Sequence, residues 1–233
     1  MTPVYVITSE KYHWALRPFC YLFNIYWSTL QQVTVITDTR ITIDLPPNFA
    51  QKTISEGRPL PQDKWSNGII HMLRQMHETH FVLLLEDYWL VRTVDHQGIK
   101  TLHELASKYP DILRIDLTDD RQYSGQMKDA GYYGHYDLVE TPGESPYQMS
   151  LQAGIWNRDL LLSIIKPDMS PWKVELEISP DLHNREDIRV IGTRQRPIRY
   201  INAFKGGDSE TVLNVEGLPE EHRIELLRRG WLR

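Results

Sequence analysis

The chain predicts an α/β domain built on a doubly wound, mostly parallel central sheet. Short β-branched or aliphatic runs, "VYVI", "QQVTVIT" and "FVLLL", are continuously apolar, as strands buried on both faces are. Longer stretches of mixed residues with helical spacing separate them. The first strand, helix and second strand are complete within about 40 residues, the size of a βαβ unit with a right-handed crossover.

Each element has a local reason. Val4–Ile7 is bounded by Pro3 and by "TSE", so it reads as a buried strand. "EKYHWALRPFCYLFNIYW" follows as a helix of about five turns with Pro18 as a local blemish. "QQVTVITDTR" repeats the strand pattern and runs into Asp38. Residues 40–62 hold Pro46, Pro47, Gly57, Pro59 and Pro61 and predict a loop with at most one short element. "DKWSNGIIHMLRQMHETH" restores helical spacing through Ile69, Ile70, Leu73 and Met76, with Asp63 or Ser66 as a cap. "FVLLLEDYWLV" is the next strand. A helix near 97–108, a strand at "ILRIDL", a Gly- and Tyr-rich excursion or hairpin over 123–140, a strand in "YQMSLQAGIW" and a helix from Asn157 come next. The remainder mixes "KPDMSPWKVELEIS", short strands at "IRVIGT" and "IRYINAF", a "KGG" turn and a charged amphipathic end. No repeat, low-complexity tract or linker divides the chain, which predicts one domain over 1–233.

Composition narrows the function classes. A net charge of −5 over 233 residues gives no global basic field of the kind that dominates nucleic-acid binding. A lone cysteine, Cys20, sits in an apolar helical pattern with no disulfide partner, which fits a reducing compartment. No run of 18 apolar residues and no basic-then-apolar leader occurs, so the expectation is a cytoplasmic chain without a transmembrane segment. In a doubly wound sheet, ligands sit beyond the carboxyl ends of the strands, which places Thr8, Ser9, Asp38, Glu86 and Asp87 along one cleft. Adjacent carboxylates at the end of an apolar strand are costly unless something pairs with them. Their oxygens suit Mg²⁺ or Mn²⁺ shared with substrate phosphates, and an ion pair with a neighbour such as Arg92 is the structural alternative.

Three motifs in order, "LLLEDYW" at Leu83 to Trp89, "SLQAGIWNRDLL" at Ser150 to Leu161 and "SPWKVE" at Ser170 to Glu175, resemble the small family-two-like nucleotide-sugar glycosyltransferases of bacteria and phages, which have the GT-A (Rossmann-like) fold. The resemblance covers roughly residues 1–180. It implies a single domain with a nucleotide-sugar-binding half (1–95), an acceptor-binding half with a C-terminal extension (96–233), and sugar transfer to a hydroxyl, inverting and metal-assisted. The donor residues it implies are Thr8, Ser9 and Glu10 near ribose or base, Asp38 accepting from a base N–H, Trp65 and Asn67 bordering the cleft, and Glu86 beside the diphosphate. Gln152, Ala153 and Gly154 would line the sugar pocket. Asp87 is the implied ligand to Mn²⁺ or Mg²⁺, although Tyr88 stands where the family pattern has a further carboxylate, so the metal is held loosely or is dispensable. Glu175 is the implied general base, with Trp172 as acceptor platform. Glu177 shares the acceptor face if the segment is a strand and diverges if it is a helix.

The acceptor is a glycan precursor or a hydroxymethylated base in phage DNA, and the sequence leaves the oligomeric state open. Two rivals stand beside this reading. A nucleotidyltransferase also puts a sheet-end carboxylate beside Mg²⁺, but "TSEKYHW" lacks a Gly-rich phosphate loop. An inactive sugar-binding module is the other. Histidine spacing matches no zinc motif; His71 and His77 read as helix surface, and His135 or His183 would contact phosphate or complete a metal shell. Arg194, Arg196, Arg199 and Lys205 form a basic cluster for a diphosphate or an anionic acceptor, or a solvated surface.

Overall fold

A computed structural model describes residues 2–205 and 212–232. The first strands and helices are β1 (Val4–Ile7), α1 (Leu16–Tyr26), β2 (Val33–Thr37), β3 (Phe49–Thr53), α2 (Trp65–Gln75), β4 (His80–Leu85), β5 (Tyr88–Leu90) and α3 (His96–Lys108). Next come β6 (Ile112–Asp116), α4 (Asp120–Tyr123), β7 (Lys128–Tyr133), β8 (Tyr136–Glu140), β9 (Gly154–Asn157), α5 (Arg158–Ile164) and α6 (Pro171–Ile178). The chain closes with β10 (Arg189–Thr193), β11 (Tyr200–Asn202), β12 (Phe204–Lys205), β13 (Val212–Leu213) and α7 (Glu220–Arg228).

Nine strands form one sheet in the order β3-β2-β1-β4-β9-β6-β10-β8-β7. β3, β2, β1 and β4 are mutually parallel, β9 runs against β4 and β6, and β10 is parallel to β6. Only β8 and β9 therefore oppose the common direction, since β7 is antiparallel to β8 and β8 to β10. Residues before 95 supply one side of this sheet and later residues the other, so a single sheet carries both halves of the chain.

Alternation along the strands feeds two cores, as a period of two requires. Val4, Val6, Val82 and Leu84 face Phe19 and Phe23 of α1 and Leu102 and Leu105 of α3. Tyr5, Ile7, Phe81 and Leu83 face Ile69 and Met72 of α2, Leu161 of α5 and Val174 and Ile178 of α6. The predicted α/β domain, with helices on both faces of a mostly parallel sheet, is what the chain forms.

Several local expectations need correction. The first helix starts as a 3₁₀ turn over Glu10–Ala15, which leaves Pro18 in the first turn of α1, where no backbone donor is needed. Neither Asp63 nor Ser66 caps α2; Ser66 Oγ instead accepts from Met169 N–H at 2.9 Å. The Pro-rich loop holds, within the one short element allowed for it, the edge strand β3. The strand read as 81–91 breaks at Glu86 and Asp87, and β5 beyond them pairs with β11 in a separate small sheet. In "YQMSLQAGIW" only the end is strand, and it is antiparallel. The "KGG" turn extends into 206 and 207, outside the described residues.

A carboxylate joins helix α3 to the far side of the sheet. Asp95 caps α3 through Gly98 N–H at 2.8 Å and also accepts from the Tyr136 hydroxyl at 2.8 Å. A Cβ on Gly98 would lie 2.1 Å from that hydroxyl oxygen. Replacing a helical glycine by alanine ordinarily stabilises by up to about 1 kcal/mol, whereas overpacking costs about 1–3 kcal/mol. Gly98→Ala is expected to lower stability by about 1–2 kcal/mol in denaturant unfolding; a midpoint equal to or above that of the parent would show that Tyr136 yields freely.

Candidate active site

The carboxyl ends of β1, β2 and β4 open on a cleft of about 810 Å³. Thr8, Ser9, Glu10, Asp38, Trp65, Glu86, Asp87, Gln152, Trp172 and Glu175 all line it. Parallel pairing is the cause: Ile7 sits opposite both Ile36 and Leu85, so the residues after each strand emerge at the same level.

The turn at Glu86 and Asp87 is pinned through its backbone. Trp89 Nε1–H donates to the Glu86 carbonyl at 3.2 Å, and the Asp87 carbonyl accepts from Ala203 N–H at 2.8 Å. Both side chains line the cleft from this fixed turn. Burial, and then repulsion from Asp87, pushes the Glu86 carboxyl well above the carboxylate range. Burial likewise pushes Asp87 up to about 7. Arg92 is not their partner, since its guanidinium donates to the Arg196 carbonyl at 3.0 Å.

Tyr88, the departure from the family pattern, has a structural task. Buried and stacked on Tyr200 with ring centroids 4.3 Å apart, it donates its hydroxyl to the Leu151 carbonyl at 3.1 Å. On the other side of the same residue, Leu151 N–H donates to Glu175 Oε1 at 2.7 Å. Glu175 is thereby fixed relative to the Glu86–Asp87 turn. Its own position follows from α6, which Ser170 caps and Pro171 opens. Burial raises the Glu175 carboxyl, with the Leu151 N–H and the Arg114 guanidinium opposing that rise.

Asp38 lines the cleft and is also a backbone anchor. Its Oδ1 accepts from Glu10 N–H at 2.8 Å and Thr39 N–H at 2.9 Å, and its Oδ2 from Leu60 N–H at 3.1 Å. These bonds tie the first βα turn and the 55–62 loop together at the cleft edge.

Other expected residues lie elsewhere. Asn67 exchanges hydrogen bonds with Asp168 at 2.8 and 2.9 Å, holding the loop before α6 and not lining the cleft. Ala153 and Gly154 are inside the sheet; a Cβ on Gly154 would meet Arg114 Nε at 2.8 Å, so closeness to Arg114, not to a sugar, calls for the small residue. Because "SPWKVE" is helical, Glu177 turns away to solvent while Glu175 turns inward. His135 pairs with Asp95 on the far side of the sheet, and His183 is not in the cleft. Arg194 pairs with Asp129 and Arg196 with Asp119. The Lys205 side chain lies outside the description. Sequence reasoning missed the buried Arg114, Asp116 and Arg121 network under the cleft floor, where Arg114 Nη2 donates to Asp116 at 3.0 Å and to the Gln152 carbonyl at 3.0 Å. The only sequence signal was a charge at alternate positions of an otherwise apolar strand, "ILRIDL".

The donor set bears on a metal. Among the described residues no group of three His, Cys, Asp or Glu side chains converges to hold an ion unaided. Two adjacent carboxylates, both pushed toward neutrality by burial, instead fit a hard divalent cation that completes its shell with substrate phosphates and water.

No family model matches the chain, and no curated protein matches it. Among solved structures it is similar to an apo UDP-glucose pyrophosphorylase, at 14% identity and a TM-score of 0.45 over 98% of this chain and 100% of that one. It is also similar to a cytidylyltransferase from Leptospira borgpetersenii serovar Hardjo-bovis, at 11% identity and 0.48 over 99% and 95%. A third is residues 1–349 of S. aureus TarS, at 15% identity and 0.44 over 82% and 58%. With each of these scores below 0.5, none of these likenesses assigns a role to a residue of this chain.

The raised Asp87 carboxyl has a signed consequence for stability. Below its unfolded value of 3.8 the group is protonated in both states, and between there and about 7 the folded chain keeps a proton that the unfolded chain has lost. The stabilising contribution is present at low pH and disappears as pH rises through about 7. Melting temperature should therefore fall more steeply from pH 4 to pH 8 in the parent than in Asp87→Asn, and parallel profiles would contradict the burial of this charge.

Proposed function

We propose that the chain is a nucleotide-sugar-dependent glycosyltransferase that transfers with inversion. The observation that supports this best is one cleft in which Glu175 faces the same space as the Glu86–Asp87 pair, with Trp65 and Trp172 as aromatic surfaces. Its polar lining is dominated by carboxylates, and Lys11 is the cationic side chain among the described lining residues. Aromatic faces with carboxylate acceptors suit sugar rings and hydroxyls.

In this reading Trp172, half exposed at the lip, orients the acceptor ring. Glu175, fixed by Leu151 N–H, takes the proton from the acceptor hydroxyl as its oxygen attacks the anomeric carbon, and the bond from that carbon to the diphosphate oxygen breaks. A Mg²⁺ or Mn²⁺ held by Asp87 and Glu86 would neutralise charge on the leaving nucleoside diphosphate. Burial around Glu175 keeps water from competing for the proton, while its raised carboxyl makes the base effective only once pH is high enough to ionise it. A glycan precursor is the favoured acceptor over hydroxymethylated DNA, because the net charge of −5 offers no field for a polyanion.

A thermal-shift screen of UDP-, GDP-, CDP- and TDP-sugars with and without Mn²⁺ identifies the donor. Glutamine at 175 retains an oxygen to accept from Leu151 N–H, so Glu175→Gln should fold and bind donor normally while transfer falls by roughly 10²- to 10⁴-fold. Glu177→Gln should transfer at the parent rate. Asp87→Ala should weaken donor binding and abolish any Mn²⁺ stimulation, since the ion's ligand is lost. Pyrophosphate release from a nucleoside triphosphate and a sugar 1-phosphate, with no glycosidic product, would replace this reading by nucleotidyl transfer.

A further inference from the structure

Beside the main cleft lies a second cavity of about 360 Å³, within the lower range of ligand sites. The two share Gln152 and Asn202 in their linings, so they are neighbours separated by those side chains. Its walls come from the end of β6, α4 and the segment leading into β11. Gln152 is held at the junction by the Tyr200 hydroxyl, which donates to its Oε1.

Charge separates the two spaces. Both carboxylates of the second cavity are already engaged: Asp119 pairs with Arg196, and Asp120 accepts from the buried Arg121 at 2.9 Å. Arg196 also reaches the Tyr123 hydroxyl at 3.4 Å. Arg199, exposed on the cavity wall, makes no side-chain hydrogen bond or ion pair with any described residue. Its backbone is not loose, because its carbonyl accepts from Val91 N–H at 3.0 Å at the start of the β5–β11 pairing. An arginine side chain with open donors, rooted in a fixed backbone on a cavity wall, can receive a carboxylate or phosphate bidentately. Tyr123, 75% exposed, offers a ring face beside it.

We propose that this second cavity is an acceptor subsite for a glycan unit bearing an anionic group, a uronic carboxylate or a sugar phosphate, with Arg199 as the residue that selects it. The assignment rests on the transferase reading for the word acceptor, while anion recognition itself does not.

The test is direct binding to the full chain, by calorimetry, of methyl glucoside, methyl glucoside 6-phosphate and methyl glucuronide. At least one anionic probe should bind roughly 10- to 100-fold tighter than the neutral one, as a charge-assisted pair provides, and which of them does so identifies the anion. Arg199→Ala should erase that preference, and Arg199→Lys should restore part of it. Equal binding of all three probes, or a preference that survives Arg199→Ala, overturns the subsite. Donor binding is read separately: if no nucleotide sugar binds yet the Arg199-dependent preference holds, the transferase reading fails and the anion site stands. If transfer occurs with no anionic preference, the site alone fails. Tight, steeply salt-dependent binding of hydroxymethylated duplex DNA that is unaltered in Arg199→Ala would also overturn it.

Discussion

Two ionisable carboxylates set side by side at the end of a strand buried on both faces are the constraint around which the molecule is arranged. Neither Glu86 nor Asp87 can ionise cheaply there, since burial opposes both charges and Asp87 adds repulsion at Glu86. The surrounding structure holds the pair by its backbone and leaves the oxygens facing the cleft. Trp89 and Ala203 fasten the turn, β5 leads the chain away into the pairing with β11, and Tyr88 transmits the position of the turn to Leu151 and so to Glu175. A residue that looks like a lost metal ligand is the strut between the two halves of the site.

The buried arginines make an electrostatic counterpart. Arg114 and Arg121 lie under the cleft floor with Asp116, and Arg114 Nε and Nη1 have no hydrogen-bond partner among the described residues. Unmet donors on a buried cation are costly by themselves. Arg114 opposes the desolvation of Glu175, and Arg114 and Arg121 together hold Asp120 below the ordinary carboxylate range against its own burial. Positive charge is thus buried beneath the carboxylates, with Lys11 the cationic side chain among the described lining residues.

Where sequence was informative, period and length carried the message. Val4–Ile7, Val33–Thr37 and the run ending at Leu85 were legible because strands buried on both faces must be continuously apolar, and their parallel order implied that Thr8, Asp38 and Glu86 share one edge. The motif register of Glu175 also placed that residue in the cleft. Long-range hydrogen bonding was not legible. The anchoring by Asp38 was hidden because nothing local shows that Glu10 and Leu60 point their N–H groups at it. Asn67 and Asp168 are far apart in the chain, as are Gly154 and Arg114, so the clamp and the close approach had no sequence signature. The place of β3 within its loop was not legible because an edge strand with one polar face lacks the apolar run that betrays a central one.

The antiparallel insertion of β9 has a consequence for how the chain is made. β4 pairs with β1 on one edge, but its other edge waits for Gly154–Asn157, which emerges from the ribosome only after α3, β6 and the β7–β8 hairpin. At about 5–20 residues per second this delay is on the order of seconds. Throughout it, a strand of consecutive large apolar residues offers unpaired backbone to any neighbour. Such a domain cannot be assembled half by half: the early strands form a platform that stays adhesive until a short late segment closes it, so yield in a foreign host should depend on translation rate and temperature more than on the stability of the finished fold.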